Sequence, residues 1–541
     1  MHHGTHTAAE TSSIERGLKS DGTDEAFLAS LGYKQEFRRE FTALEVFGVA
    51  FSIIGVVPSI ASVLVYAIPN GGTSAMVWGW AVSSFLILFI GLAMAELGSA
   101  APTSGGLYYW THSFSSPNAR NLLSWIVGYS NTIGIIAGVA SVDWGCAVQI
   151  MAAVSIGSNM TFAPTTAQIF GVYAALLLCH SLIASLATRA LARLQNLYIV
   201  LNILLCLAIV IALPAATPKK FKNSASYALG GFQNFNGWPD GYAFILSFLA
   251  PLWSIGAYDS SVHISEESTN ARVAVPFAII SSISLAGVLG WAINMALAFN
   301  MGNDLEGILA SPIGQPLATI FFNSFGQKGT LVLWSFIVIV QFMMGTSVLL
   351  ASSRQTFAFA RDGGLPFSSW IYRINAYTKT PVNGVWFAAF IALLLGLLSF
   401  AGPAAITAIF ALAVAGQNVA YSIPITARFA FKNDFKPGPF CLGRFSLPVA
   451  VVAVLWMIFT TTVFFFPSTP QTNAASMNYT VVVLGGSLLL SLVYYYFPKY
   501  GGVHWFKGPV ANILESTNES LCTTEKQSED IMSTENAKVV E

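Results

Sequence analysis

Charge is what this sequence has least of. Asp, Glu, Lys and Arg make up 9% of the 541 residues, against about 25% in a typical soluble protein. Basic and acidic side chains balance at 25 each, so there is no electrostatic footprint for nucleic acid. Cysteine is nearly as scarce. Cys146, Cys179, Cys206, Cys441 and Cys522 are scattered without a CxxC pair. Four of them lie in or beside apolar stretches, which predicts buried thiols rather than disulfides or metal ligands. No P-loop, HExxH or GxSxG pattern occurs, which argues against an enzyme. No short apolar core leads the chain, so no cleavable signal peptide is expected and the first hydrophobic segment serves as signal and anchor. His2, His3 and His6 read as chance neighbours in a polar tail. Neither a metal nor a cofactor is expected.

Hydrophobic residues are what the chain has in excess, at 55%. Apolar stretches fall at approximately 45–68, 74–100, 122–155, 167–187, 194–214, 241–263, 275–300, 316–352, 383–401, 404–428, 446–466 and 479–497. Several exceed the roughly 18 residues that read as a membrane-spanning helix. The fold class is therefore an all-α membrane protein with twelve transmembrane helices, spanning 45–498 between tails at 1–44 and 499–541. The stretches at 122–155 and 316–352 are long for one span and predict tilt or a polar extension. The tail after Pro509 is rich in Ser, Thr and Glu and is expected to be disordered.

Loop charge sets the orientation. With the N-terminus in the cytoplasm, the inner loops hold Arg120, Arg189, Arg193, Arg272, Arg354, Arg361, Arg373, Lys379, Arg428, Lys432, Lys436 and Arg444. The outer loops then hold only Lys219, Lys220, Lys222 and Lys328, so both tails are expected inside. The sequons at Asn159 and Asn478 fall outside and are glycosylation candidates, the second close to a helix start. The sequon at Asn518 falls inside and should stay bare. In "LGYKQEFRREFTALEVFG", Leu31, Phe37, Phe41 and Leu44 recur at roughly helical spacing among basic residues. This predicts an interfacial helix over about 31–42 on the inner membrane surface.

Two of the spans carry helix breakers. "SIIGVVPS" places Gly55 and Pro58 inside the first. "LAPLWSIGAYDSSVHISEES" places Pro251, Gly256 and Asp259 inside the sixth. Interrupted helices at matching places in two halves point to a transporter binding site. Spans one to five (about 45–214) and six to ten (about 241–428) then form a five-plus-five inverted repeat, with two extra helices at about 446–497. Unwinding at Gly55, Val56, Val57 and Pro58 frees backbone N–H groups, and the half-helix beyond Ser59 points its positive end the same way. A carboxylate can be held there without a buried arginine, and no Lys or Arg is expected inside any span. Carbonyls near Ser254, Ile255 and Gly256 can accept from an ammonium group. Trp253 and Tyr258 would cover the substrate or pack against neighbouring helices.

Acids within the spans are few. Glu45 at an edge is expected to snorkel, and Glu96 to partner a loop. Asp143 and Asp259 are deeper, where a charge costs several kcal/mol and marks function by default. Each is a candidate for a proton or a substrate amine. His263, Glu266 and Glu267 lack the spacing of a helical zinc site and read as a solvated loop cluster.

Three further segments carry a resemblance. "AELGSAAPTSGGLYYW", "HISEESTNARVAVPFAI" and "SRQTFAFARDGGLPFSSW", with "LGYKQEFRREF" and "FSIIGVVPSIAS", resemble the amino acid–polyamine–organocation superfamily. Within it they are most similar to the fungal amino acid/choline branch and its gamma-aminobutyrate permeases, over about residues 31–500. The resemblance implies the inverted-repeat fold, proton-driven uptake, a carboxylate site at Gly55 through Ser59, and a sixth-span pocket at Trp253, Ser254, Gly256, Ala257 and Asp259. Val56, Val57 and Pro58 depart from the glycine-rich break of many relatives. The expected function is import of a small zwitterionic amino compound, such as gamma-aminobutyrate, by proton symport across the plasma membrane. A choline or polyamine carrier is the alternative, and a flux-less nutrient sensor a further one. Sodium is the alternative coupling ion, and the vacuolar membrane the alternative location.

Overall fold

The computed structural model describes residues 24–186, 188–467, 469–471 and 477–511. The N-terminal histidines, Cys522, the Asn518 sequon and most of the tail after Pro509 lie outside the described residues.

The described residues are helical, with only two isolated β-bridges. Among the described residues, ten helices are long and apolar enough to cross a membrane: Ala43–Ala67, Gly72–Ala100, Arg120–Gly157, Thr166–Leu186, Ala190–Ala216, Ala271–Asn300, Pro316–Arg361, Val382–Ala401, Pro403–Ala430 and Gly443–Val463. The other two of the twelve expected stretches are shorter. The sixth is divided into Asp240–Leu246, Leu249–Ser254 and Ser260–His263, and the last is Thr480–Tyr495. The chain is an all-α multi-pass membrane protein.

Burial sorts the spans. The apolar windows of the first, third and tenth are 94%, 83% and 72% buried in the bundle, against 28% for the fifth. The first, third and tenth are therefore central, and the fifth faces lipid along most of its length. The third, Arg120–Gly157, is one helix of 38 residues. At 1.5 Å per residue it is about 57 Å long, well beyond the hydrocarbon thickness of about 30 Å. The eighth, Pro316–Arg361, is two helices joined at Gly326, whose φ of 68° and ψ of −177° no other residue adopts easily.

The segment before the first span departs from expectation. Residues 24–30 are helical, but 31–40 run without regular structure. Phe37 and Phe41 are buried on protein rather than lipid. The Phe37 ring meets Phe357 of the eighth span edge-on at 4.9 Å between centroids. The Glu40 and Phe41 amides donate to the Glu267 carbonyl at 2.9 and 3.0 Å, and the Thr269 amide donates back to Phe41 at 2.9 Å. The apolar spacing recorded real burial, but pairing with residues 267–269 satisfied the backbone in place of a helix. Glu45 does not snorkel either. It closes a capping box with Thr42, accepting from the Thr42 amide at 2.7 Å.

The helix ends around this strap are tied by buried ions, which corrects two sequence expectations. Glu266 and Glu267 are buried, not solvated. Glu267 pairs with Arg354 at 2.7 Å and Glu266 with Arg361 at 3.1 Å. Both arginines belong to the eighth span, and Arg354 is fully buried, so a basic residue is embedded after all. Glu96 pairs with Arg428 of the tenth span at 2.6 Å and accepts from Ser446 at 2.8 Å. Cys146 and Cys206 are buried, whereas Cys179 and Cys441 are exposed.

Candidate functional site

The first span divides at Gly55 alone. Helix Ala43–Ile54 ends there and helix Val56–Ala67 starts there, with Gly55 left-handed at φ 43° and ψ 67°. The opening is narrower than the four residues expected, because Val56, Val57 and Pro58 already belong to the second half-helix. Pro58 has no N–H to satisfy and fits a first turn. The Ser59 amide donates to Gly55 at 2.8 Å, and its hydroxyl donates to the Ile54 carbonyl at 2.5 Å. Ser59 thus takes up a carbonyl that the break releases. Met344 of the eighth span packs against the break, with Sδ 3.7 Å from Ser59 Oγ.

The sixth span opens more widely. Helix Leu249–Ser254 stops at Ile255, and helix Ser260–His263 begins five residues later. Ala257 lies between them at φ 52°, a left-handed conformation that costs a non-glycine residue about 1–2 kcal/mol. Its amide donates to Gln417 Oε1 of the tenth span at 3.3 Å. Ser254 Oγ is buried with no hydrogen-bond partner among the described residues. The Trp253 indole donates to Ser141 Oγ of the third span at 2.9 Å. Its ring lies 4.8 Å from Phe410, which lies 5.5 Å from Tyr66, and these three rings cover the side of the breaks away from the termini. The Tyr258 ring packs 5.6 Å from Tyr421.

The two deep acids both sit in fully buried pairs with histidine. Asp259 Oδ2 is 3.2 Å from His263 Nε2, which also lies 3.1 Å from Asn131 Nδ2, while His263 Nδ1 lies 2.9 Å from the Ser104 carbonyl. Asp259 is thus held one turn toward its own helix end, and only its Oδ1 lacks a hydrogen-bond partner among the described residues. Asp143 pairs instead with His180 of the fourth span at 3.0 Å. Asp143 does not touch the two breaks itself. Its neighbour Ser141 does, through Trp253.

Residues 44–487 match the amino acid permease family. The chain belongs to that family. A GABA-specific permease of Saccharomyces cerevisiae is 40% identical over 82% of this chain and 79% of its own length. An uncharacterized amino-acid permease of Schizosaccharomyces pombe is 38% identical over 91% of this chain and 89% of its own. Amino-acid permease 2 of Neurospora crassa is 33% identical over 86% of each chain. The family makes this chain an amino-acid transporter rather than an enzyme.

At the end of the permease that carries the described termini, side chains and backbone converge on Asp362. Asp362 accepts from Tyr108 at 2.6 Å, from Tyr33 at 3.2 Å and from the Val510 amide at 3.2 Å. Burial raises the Asp362 carboxyl above its usual range, against the pull of Arg361 and these hydrogen bonds. Burial, and after it the Asp362 charge, pushes both tyrosines well up. Sequence reasoning missed this cluster and both histidine partners. The signals were present, since His180 is a polar residue inside an apolar stretch and His263 stands four residues after Asp259. The two sequons differ as well. Asn159 is exposed, whereas Asn478 Nδ2 donates to the Phe464 and Phe466 carbonyls at 2.6 and 2.8 Å.

Proposed function

We propose that this permease imports a small zwitterionic amino compound, gamma-aminobutyrate or a related amino acid, by proton symport with alternating access. The observation that carries the reading is the pair of helix breaks, at Gly55 in the first span and between Ser254 and Ser260 in the sixth. The N-terminus of helix Val56–Ala67 offers the positive end of a helix dipole to a carboxylate at Gly55, Val56, Val57, Pro58 and Ser59. The ammonium end faces the carbonyls around Trp253, Ser254, Ile255 and Gly256, with Asp259 Oδ1 as the nearby acid. Both termini are placed in the cytoplasm by the excess of Lys and Arg in the loops on that side, with the plasma membrane as the site. The GABA-specific relative favours this substrate class.

A choline or polyamine carrier stays the second reading. A buried carboxylate beside the rings of Tyr258 and Tyr421 suits an organic cation. The deciding experiment is uptake of labelled gamma-aminobutyrate, amino acids, choline and putrescine by reconstituted protein, with and without a pH gradient. Gradient-dependent gamma-aminobutyrate uptake resistant to excess choline and putrescine is expected. Accumulation of choline or putrescine alone would reverse the assignment.

A further inference from the structure

We infer that His180, oriented by Asp143, is the group that loads and unloads the coupling proton. The inference rests on the proton-symport reading and adds its site. Both side chains have no solvent exposure. His180 Nδ1 lies 3.0 and 3.1 Å from the two Asp143 oxygens, while its Nε2 has no hydrogen-bond partner among the described residues. A lone carboxylate buried in a membrane costs several kcal/mol, and a protonated imidazole beside it cancels that charge. Loss of the proton restores the penalty. The protonation state of this pair is therefore worth enough free energy to bias a conformational equilibrium.

The other Asp–His pair is built differently. His263 has both ring nitrogens engaged, by the Ser104 carbonyl on one side and by Asp259 and Asn131 on the other. That imidazole is fixed, whereas His180 keeps one nitrogen through which a proton can pass.

The Asp143–His180 pair is also joined to both helix breaks over a short path. On the third span, Ser141 accepts from Trp253 of the sixth-span break, and the Val142 carbonyl accepts from Gln341 of the eighth span at 2.9 Å. On the eighth span, Met344 packs on the Gly55 break, and the next residue, Gly345, packs on the pair. A Cβ at Gly345 would stand 2.4 Å from Asp143 Oδ1 and 2.4 Å from His180 Cε1. The eighth span thus cannot shift at the first break without disturbing the proton site.

Few other groups compete for the proton. The titratable neighbours of Asp143 are Cys146 on its own helix and Tyr173 on the fourth span. The eighth span presents Gln341, Phe342 and Gly345, none of them ionisable, with the Phe342 ring 4.4 Å from the imidazole. On the ninth span the Ala392 carbonyl accepts from Tyr173, and Gly396 packs against the Tyr173 ring.

The test uses the full-length permease in proteoliposomes with labelled gamma-aminobutyrate as the probe. One pH unit of gradient supports about tenfold accumulation at one proton per substrate. Wild type is expected to accumulate substrate on a pH gradient. His180→Gln and Asp143→Asn are expected to lose that accumulation and the pH dependence of uptake, while keeping exchange of labelled for unlabelled substrate at equal pH. If His180→Gln has lost exchange too, Gly345→Ala decides. It leaves both ionisable groups in place and should shift the pH profile of uptake. Gradient-driven accumulation retained by His180→Gln, or an unshifted profile in Gly345→Ala, overturns the assignment while symport stands. Wild-type accumulation driven by sodium alone overturns both.

Discussion

Met344 closes over Gly55. A Cβ added to the glycine would stand 3.0 Å from the methionine Sδ, and the Gly55 backbone is left-handed at φ 43°. Two constraints thus meet at one residue. The backbone conformation alone costs any other residue about 1–2 kcal/mol. Gly55→Leu is expected to abolish uptake while the protein still reaches the cell surface. Gly55→Ala should reduce uptake less severely, and Met344→Ala in that background should recover only the part due to contact. Normal uptake by Gly55→Leu would remove the backbone-held carboxylate from the mechanism.

The Arg354–Glu267 pair predicts a stability effect. Both side chains are buried at 2.7 Å separation. Removing one partner strands the other charge, which typically costs about 3–5 kcal/mol, whereas apolar replacement of both is often near neutral. Arg354→Met should therefore lower Tm in detergent sharply, and Arg354→Met with Glu267→Met should recover much of the loss. Equal melting of the single variant and wild type would show that the charge is relieved by water.

A pH effect is expected at His112, in the short helix Gly106–Phe114. Burial, and after it the Arg120 charge, lowers its pKa from the ordinary 6.5. The folded protein therefore prefers the neutral ring. This contribution is intact above about pH 6.5 and is lost as pH falls below it. The ring packs against Gly508, so its protonation should loosen residues 501–511. The protection of amides in that segment, corrected for their intrinsic exchange rates, should fall between about pH 7.5 and about pH 5.5, and His112→Asn should flatten the fall. An unchanged pH response in His112→Asn would assign the effect elsewhere.

Only one of the two described sequons presents a free amide. Asn159 is exposed, whereas the Asn478 side chain is tied to the Phe464 and Phe466 carbonyls. Asn159→Gln should remove a glycosidase-sensitive shift in gel mobility, and Asn478→Gln should leave it. A shift that depends on Asn478 would mean its carbonyl contacts form only after modification.

The sequence by itself determined the class of molecule and the positions of the two breaks. Apolar length sets the all-α membrane class because lipid offers no partner for backbone groups. Gly55 and the Ser254–Ile255–Gly256 run mark breaks because glycine and proline act locally, through their own φ and N–H. What the sequence could not supply was partner choice. His180 stands 37 residues from Asp143, and Glu267 stands 87 from Arg354. Such pairs are set by which helix faces meet, a property of the packed bundle rather than of any window of sequence. The strap shows the same limit. Phe37 and Phe41 have apolar spacing that fits a helix on a membrane, but tertiary contact supplied a protein surface instead. Periodicity reports that a side chain is buried, and only the fold decides against what.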